Sequence, residues 1–508
     1  MIIAHDLGTS GDKASLHDET GALVASCTVG YPTQFRPGGV AEQDPQDWWR
    51  AVGEASRRLL VQSGLGPAAV QAVSLCGQMM GAVFLDSAHR PLRPAFIWAD
   101  QRSEAQADRL RAAVGQDEAY ALLGHRVHAT YTLPKIMWVR DTERETWAGT
   151  HTVCVAKDYV TARLTGVLVT DPSDASSTDA YDLRAGTWSA TMLDAAGIDI
   201  GMLPPIVDST TVAGSLTAAA ADHTGLVPGT PVIVGGGDGP MASLGAGAVR
   251  PGDSAYVCLG SSAWVAFSSE YPLLDPQMRS FTFRHVVPGG FVPTATMQAG
   301  GACLQWVADV LEPGGGRGRI TGLLDEAAGA RGADDGLYFL PYLLGERSPH
   351  WDPLAAGTFL GLQRHHTRGD LVRAVLEGVA FNLRTCMDAF ADNGSVIDAV
   401  DVIGGAAASD VWLRVCCDVW GIPVRRRSIA EEAGSLGAAV TALVAIGAAD
   451  FDVARTLSAT SVALEPDPDR AAAYADQHAI FLDAYTRLAG WFGSRRGTAP
   501  TPTATEGP

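Results

Sequence analysis

The sequence predicts an α/β protein with two large domains, on the strength of three observations. The chain has 508 residues, far more than a single hydrophobic core needs. Short apolar strands alternate with helical patterns through both halves of the chain. Each half also opens with a strand, a turn rich in Gly, Ser or Thr, and another strand. We interpret this likeness as an internal duplication with a boundary near 240–255.

Composition limits the classes of function. Apolar residues make up 47% and charged residues 18%, which indicates a well-buried globular protein. The net charge of -19 argues against a nucleic acid or an anionic membrane as partner. The first residues lack the basic and apolar regions of a signal peptide, and the eight cysteines show no CxxC spacing, so a reducing cytoplasm is expected. The uncharged stretch 433–449 is too short to span a membrane, and its small residues predict a buried helix that another element approaches closely.

Apolar runs and turn residues predict the elements in chain order. The first half is expected to contain a strand at 2–5 ending at Asp6, a hairpin of strands at 13–16 and 22–29, a helix from 45 to about 61, and strands at 70–76 and 82–86. Further on, the sequence predicts strands at 231–238, 254–259 and 399–405 and a helix that begins near Asp410. Residues 493–508 are rich in Thr, Pro and Ala and are predicted to be a disordered tail.

The first strand leads into the turn DLGTSGDK at 6–13. Glycines and small hydroxyl residues favour a tight turn whose N–H groups face an anion, and Asp6 is placed to hold a metal-bound water. Lys13 is one of only three lysines, with Lys135 and Lys157, and a compact charge beside such a turn suits phosphate. The alternatives are an ordinary hairpin turn and a lysine that faces solvent.

A second turn, GGGDG at 235–239, follows a buried strand. Asp238 lies where open α/β sheets bind their ligands, and its carboxylate can accept a hydroxyl proton during phosphoryl transfer. One alternative is a helix cap. Another is a dinucleotide fingerprint over Gly237, Gly239 and Ala242, although no acidic residue ends a strand at the distance that this fingerprint requires.

Two further turns follow strands in the second half. CLGSSAW at 258–264 offers small donors for phosphates, and in IGGAAASD at 403–410 two glycines let a flat ring approach the backbone. The chain has no GxxxxGK[ST] sequence, so it does not bind ATP through a P-loop.

These turns belong to a longer pattern that resembles the FGGY carbohydrate kinases, and among them the xylulokinases, over roughly residues 1–490. The pattern also includes GQMMG at 77–81, IWADQRS at 97–103, AKDYVTARLTG at 156–166, SDASSTDAYD at 173–182, FLPYLLGERSPHWDPLAAGTFLGL at 339–362 and HHTRGDLVRAVLEGVAFNLR at 365–384.

The resemblance implies two ribonuclease-H-like lobes of the actin-like ATPase fold around a central cleft. The N-terminal lobe, 1–245, is expected to bind the sugar, and the C-terminal lobe, 246–492, to bind ATP. The implied reaction transfers the γ-phosphate of Mg²⁺-bound ATP to a hydroxyl of a pentulose, with D-xylulose as substrate and D-xylulose 5-phosphate as product. Dimers are common in the family, so a homodimer is also expected.

The resemblance also implies residue roles. Asp238 is the expected catalytic base, and Asp6 is expected to organise Mg²⁺ indirectly, through water and ATP. The phosphate and adenosine contacts are expected from Thr9, Ser10, Gly260, Ser261, Gly404, Gly405 and Ala406. The sugar contacts are expected from Gln78, Met79, Met80, Trp98, Asp100, Arg102 and Asp238. The alternative for part of this set places Trp98 in a core and pairs Asp100 with Arg102 as a local ion pair.

Two positions depart from the xylulokinase pattern. Xylulokinases typically have His where this chain has Met80, which replaces an imidazole donor and acceptor with an apolar thioether. They also usually have Asn where this chain has Gly239. The sequence therefore leaves open another ketose, a polyol or a deoxysugar as substrate. It also leaves open a sugar-binding relative without catalysis, and an NAD-linked oxidoreductase.

Overall fold

A computed structural model describes residues 1–316, 318–428, 433–457 and 460–494, which form two compact units. The described residues of the first unit are Met1–Asp253, Phe267–Pro293 and 433–457. Those of the second unit are Ser254–Ala266, 294–316, 318–428 and 460–494. A segment from late in the chain thus belongs with the N-terminal half, whereas the predicted lobes are continuous in sequence. The predicted division after residue 245 stays a prediction.

The strands of the described residues are short. They are β1 Ile2–Leu7, β2 Gly11–His17, β3 Leu23–Gly30, β4 Gln34–Arg36, β5 Val40–Gln43, β6 Ala72–Gly77, β7 Val83–Leu85, β8 Ala95–Phe96, β9 Thr152–Cys154, β10 Tyr181–Asp182, β11 Thr187–Trp188, β12 Val212–Ser215, β13 Pro231–Gly237, β14 Ala255–Leu259, β15 Ala263–Ala266, β16 Phe281–Arg284, β17 Phe291–Met297, β18 Tyr338–Leu340, β19 Thr358–Leu360, β20 Val400–Ile403, β21 Val424–Arg427 and β22 Thr460–Leu464.

The helices lie between these strands. They are α1 Pro45–Ser63, α2 Glu104–Val114, α3 Gln116–Leu123, α4 Thr132–Thr142, α5 Arg144–Gly149, α6 Ala156–Thr165, α7 Pro172–Ala175, α8 Ala190–Ala196, α9 Ala218–Thr224, α10 Asp238–Gly245, α11 Gly301–Leu311, α12 Arg319–Ala328, α13 Arg368–Ala391, α14 Asp410–Trp420, α15 Ala433–Ala445, α16 Ala454–Leu457 and α17 Pro468–Ser494.

The main sheet of the first unit has the strand order β12-β13-β6-β1-β2-β3. Its three central strands, β13, β6 and β1, are parallel, and its outer strands pair antiparallel. Helix α1 packs against β2 and β3, with Trp48, Val52 and Leu59 buried. This helix begins where Asp44 accepts a hydrogen bond from the N–H of Gln46, and it ends at a left-handed glycine, Gly64.

In the main sheet of the second unit, six of the strands lie in the order β22-β21-β20-β14-β15-β17, and in this order they have the same sequence of antiparallel and parallel pairs as the first sheet. The five strands β13-β6-β1-β2-β3 of the first sheet and β21-β20-β14-β15-β17 of the second therefore have one topology, which supports the predicted duplication. The sheets differ in the connection of the next strand, because β12 precedes β13 in the chain whereas β22 follows β21. The shared topology is that of the ribonuclease-H-like, actin-like ATPase fold, so the predicted α/β fold class is confirmed.

The late segment that joins the first unit carries α15, which packs against α10 and against the central strands β1, β6 and β13. Glycines allow the two helices to touch. A Cβ on Gly245 would lie 1.9 Å from the carbonyl oxygen of Ala433, and one on Gly437 would lie 2.1 Å from that of Met241. The buried helix predicted within 433–449 is confirmed, and so is the close approach of another element.

Most predicted elements agree with the structure to within a few residues. The hairpin, the helix from residue 45 and the strands before each Gly-rich turn are all present. No helix of the described ranges is both long and apolar enough to cross a membrane. Helix α17 extends to Ser494, and the rest of the predicted tail, 495–508, lies outside the described residues.

Candidate active site

Asp238 is the first residue of α10 and directly follows strand β13. Glycines precede it because β13 runs close beside β6. A Cβ on Gly235 would lie 1.7 Å from the carbonyl oxygen of Leu75, and one on Gly237 would lie 2.6 Å from Cγ of Met79. The GGG run therefore allows close strand packing that brings the Asp238 carboxylate to the end of the sheet.

Burial, and to a lesser extent the negative charge of Asp6, raise the pKa of Asp238 to about 7, even though the N–H of Gly239 donates to Oδ1 at 2.8 Å and lowers it. The side chain keeps some solvent access. A carboxylate with a pKa near neutrality, within reach of solvent, has the properties of a general base.

Asp6 lies near the end of β1, opposite Lys13 in β2 and Cys76 in β6. The thiol of Cys76 donates to Oδ1 of Asp6 at 3.4 Å. Burial raises the pKa of Asp6, whereas the Cys76 hydrogen bond and the Lys13 charge lower it. A Cβ on Gly434 of α15 would lie 2.6 Å from Oδ2 of Asp6, so only glycine fits there without displacing the carboxylate. The Lys13 side chain is exposed, as the solvent-facing alternative predicted, and its charge acts on Asp6.

The turn after β1 contains backbone N–H groups that make no hydrogen bond among the described residues. They are the N–H groups of Thr9 and Ser10. The carbonyl oxygen of Thr9 is held by the Gln43 amide at 2.6 Å and by the Thr33 hydroxyl at 3.0 Å. A turn that is fixed by its carbonyl and has free N–H groups is suited to bind an anion.

Gln43 links this turn to Gln78. Oε1 of Gln43 accepts from Nε1 of Trp48 at 2.9 Å and from Nε2 of Gln78 at 2.7 Å. The indole of Trp48 can only donate, so the orientation of both amides is determined. Oε1 of Gln78 is consequently an acceptor, and within the described part of the chain it is buried without a partner. No local sequence pattern pointed to Gln43, which lies 35 residues before Gln78.

Met79 and Met80 follow Gln78. Met79 lies against Gly237 and Gly239, beside the base. Met80 has a φ of 66°, which is rare for a residue other than glycine, Asn, Asp or His. Its N–H donates to the Ser177 hydroxyl at 3.3 Å, and its carbonyl accepts from Nζ of Lys135 at 2.8 Å.

The 97–103 segment agrees with the alternative interpretation at Asp100 and Arg102 and disagrees with it at Trp98. Trp98 is 36% exposed, so it is not the core residue of the alternative interpretation, and its Nε1 donates to Oγ1 of Thr9 at 2.9 Å. Asp100 is fully buried and pairs with Arg102 at 2.8 Å, as the alternative predicted, and it also accepts from the N–H of Ala41. The sugar roles of Asp100 and Arg102 stay predictions.

The other nucleotide candidates lie in the second unit. Gly260 and Ser261 form the turn between β14 and β15, and their carbonyls accept the N–H groups of Gly301 and Gly300 at 2.7 and 2.8 Å. Gly404, with a φ of 94°, directly follows β20, and a Cβ there would lie 2.7 Å from the carbonyl of Leu259.

Gly405 and Ala406 continue from Gly404 into a short 3₁₀ helix, Gly405–Ala408. Strands β14 and β20 are parallel neighbours, so their C-terminal turns meet at one edge of the sheet. The structure thus brings the Gly-Ser-Ser and Gly-Gly turns together, as the sequence pattern required.

A cluster of Asp335, His365 and His366 also lies in the second unit. Nδ1 of His366 accepts a hydrogen bond from the N–H of Gln363 at 3.0 Å, so the neutral ring carries its proton on Nε2. A histidine that binds a metal through Nε2 instead donates from Nδ1. We therefore assign this cluster to ion pairing between His365 and Asp335.

The chain is similar to known proteins over nearly its whole length. The profile described as the FGGY family of carbohydrate kinases, N-terminal domain, matches residues 1–245, and that of the C-terminal domain matches 255–446. The chain is 34% identical over 493 residues to the xylulose kinase of Escherichia coli (strain K12), covering 96% of this chain and 99% of that protein.

Solved structures are also similar. The ligand-bound xylulose kinase of Lactobacillus acidophilus superposes with a TM-score of 0.91 at 28% identity, covering 97% of this chain and 99% of that one. The gluconate kinase of the same organism gives a TM-score of 0.90, also at 28% identity and with the same coverage.

Proposed function

Since the chain belongs to the FGGY family of carbohydrate kinases and is an ATP-dependent sugar kinase, we propose that it phosphorylates D-xylulose to D-xylulose 5-phosphate. The xylulose kinases among its relatives support this substrate. The observation that carries the proposal is the Asp238 carboxylate, whose pKa is near 7 and is raised in part by the charge of Asp6. Asp6 is followed by the turn in which the N–H groups of Thr9 and Ser10 are free among the described residues.

In this proposal Asp238 accepts the proton of the attacking sugar hydroxyl as that oxygen bonds to the γ-phosphorus. Phosphoryl transfer requires little covalent chemistry from the protein, so position and electrostatics account for most of the rate. The free N–H groups of Thr9 and Ser10 stabilise the phosphoryl oxygens. The buried acceptor of Gln78 binds a sugar hydroxyl, and the exposed face of Trp98 packs on the sugar carbons.

Magnesium fits the residues of this unit. Asp6 offers a hard carboxylate oxygen that is partly exposed, and Mg²⁺ prefers one or two carboxylates together with waters and phosphates. We propose that Asp6 holds the ion through a water molecule. The ion, when bound, neutralises charge on the phosphate oxygens. In the second unit, Gly260 and Ser261 are proposed to contact phosphates, and Gly404, Gly405 and Ala406 the adenosine. We further propose a cytoplasmic homodimer.

The test of function is ADP release, measured with Mg²⁺ and ATP against D-xylulose, D-ribulose, xylitol, erythritol, deoxysugars and gluconate. We expect the kcat/KM for D-xylulose to exceed that for each other compound by at least about tenfold, the discrimination that one or two hydroxyl contacts provide. A higher value for another sugar would reassign the substrate. No turnover with any of them would favour a non-catalytic relative.

The rate should depend on the ionisation of Asp238. Its carboxylate must be ionised to act as a base, so kcat/KM for the sugar should rise with pH, with unit slope, and level off above about 7. Initial rates between pH 5.5 and 8.5 at saturating ATP measure this profile. A rate that does not change between pH 5.5 and 7 would exclude Asp238 as the base.

Met80 gives a second test of the substrate. Met80→His should raise kcat/KM for D-xylulose about tenfold, because the imidazole restores a donor and an acceptor beside the sugar. Histidine also tolerates the positive φ of this position better than methionine does, so the thermal midpoint should not fall. Met79→Leu is the control, because it removes a neighbouring thioether without adding an imidazole. An unchanged kcat/KM in Met80→His would locate the substrate determinant elsewhere.

A further inference from the structure

Lys135 of α4 is one of three lysines in the chain, and its side chain is completely buried. Its ammonium bonds to three backbone carbonyl oxygens: those of Met80 at 2.8 Å, Ile97 at 3.0 Å, and Thr130. Met80 and Ile97 lie 55 and 38 positions from Lys135 in sequence, whereas Thr130 is only five positions away. An ammonium has three N–H donors, so its hydrogen-bonding capacity is fully used on backbone.

Two of these segments carry the candidate sugar residues. Met80 is held in the left-handed conformation at both ends, by Ser177 at its N–H and by Lys135 at its carbonyl. Such a conformation costs free energy and persists only where the surroundings determine it. The carbonyl oxygen of Ile97 also accepts the N–H of Asp100 at 3.1 Å. Ile97 is the residue directly before Trp98, so this carbonyl group is part of the backbone that positions both candidate side chains.

Burying an ammonium group costs desolvation free energy, so packing alone does not explain a lysine at this position. Burial lowers the pKa of Lys135 to about 7, the charges of Asp100 and Asp179 raise it, and that of Arg102 lowers it. If only packing were needed, an apolar side chain of similar length would serve at lower cost. The hydrogen bonds to the three carbonyls are what lysine adds at this position.

We propose that Lys135 is a positioning residue for sugar recognition, which holds the backbone at Met80 and Ile97 so that the adjoining side chains meet the sugar in one arrangement. The proposal rests on the proposed function in that it assigns these segments to the sugar. It predicts that the loss of Lys135 weakens sugar binding and leaves nucleotide binding intact.

The experiment compares Lys135→Met with Val139→Ala, a cavity-forming change at a fully buried position one turn further along the same helix. We expect Lys135→Met to raise the sugar KM at least about tenfold, because small displacements of binding groups are costly. The KM for ATP should stay within about twofold. In Val139→Ala both KM values should stay within about twofold, even if the thermal midpoint falls. Ser177→Ala, which removes the other support of Met80, should raise the sugar KM less than Lys135→Met does.

Hydrogen exchange gives a readout that does not depend on activity. In Lys135→Met, amides within 78–82, 97–101 and 128–132 should exchange about tenfold faster, while the strands β1 and β6 keep their protection. If the wild type turns over no sugar, the proposed function fails and exchange alone decides the role of Lys135. Unchanged exchange in these segments, or equal rises in the KM for sugar and ATP, would overturn the proposal.

Discussion

Replacing Asp238 with Asn should lower kcat for sugar phosphorylation by at least about 10³-fold. Removal of a positioned general base typically costs between about 10² and 10⁴ in rate. The amide of Asn has nearly the shape of the carboxylate and cannot accept the hydroxyl proton as a base. The backbone turn around it is held by glycine packing against β6, so it should be preserved. The KM for ATP should therefore change by less than about threefold.

The measurement is ADP release under saturating sugar and ATP, with nucleotide binding followed separately by calorimetry. Asp208→Asn is a matched control, because it removes an exposed carboxylate from the same unit. If Asp238→Asn kept more than a tenth of the wild-type kcat, Asp238 would not be the base.

The same substitution should stabilise the protein at alkaline pH. The pKa of Asp238 is raised from 3.8 to about 7 in the folded state, so the folded state binds more protons than the unfolded state between these values. Stability contributed by this group is present below about pH 4 and is lost as the pH rises through about 7. At pH 8 the Asn variant should therefore unfold with a free energy about 1–3 kcal/mol higher than the wild type. At pH 4 the two should be nearly equal, and a lower stability of the variant at pH 8 would contradict the assignment.

Replacing Lys157 with Met should destabilise the protein by about 3–5 kcal/mol, the usual cost of breaking a buried ion pair from one side. Nζ of Lys157 lies 2.7 Å from Asp158, 3.2 Å from Asp171 and 3.3 Å from Asp174, and all four side chains are buried. Burial raises the pKa of Asp174 well above its usual range, and Lys157 acts in the opposite direction. Without the ammonium, the three carboxyl groups would lose their shared cation.

This network also supports the base. Oδ2 of Asp171 accepts from the hydroxyl of Ser173, and that hydroxyl oxygen accepts the N–H of Gly237, the residue before Asp238. We therefore expect Lys157→Met to lower kcat as well as stability. The free energy of unfolding is measured by urea denaturation at pH 7.5.

The double variant Lys157→Met/Asp174→Asn is the control for charge balance. It removes one carboxylate together with the ammonium, so it should recover about 1–2 kcal/mol relative to Lys157→Met alone. Equal stability of the single and double variants would show that the carboxylates are not coupled through Lys157. A loss below about 1 kcal/mol in Lys157→Met would mean that the ammonium is not needed to balance them.

Local sequence patterns were enough to predict the strands that precede the Gly-rich turns, the turns themselves and the place of Asp238. Each of these features depends on residues close together in the chain. A glycine run after an apolar strand determines where a turn occurs, and the turn determines where the next polar side chain points. The repeated order of strands was recognisable for the same reason, because each half repeats the same local units.

The contacts that surround the candidate residues came only from the tertiary structure. The glycine of α15 beside Asp6 is 428 positions away in sequence, and no local pattern assigns that helix to the first unit. Gln43, Lys135 and the partners of Lys157 act through hydrogen bonds between distant segments, and a single buried polar residue has no periodic signature. Local residue preferences determined the elements and the turns. The need to satisfy every buried charge and polar group determined which distant residues hold them in place.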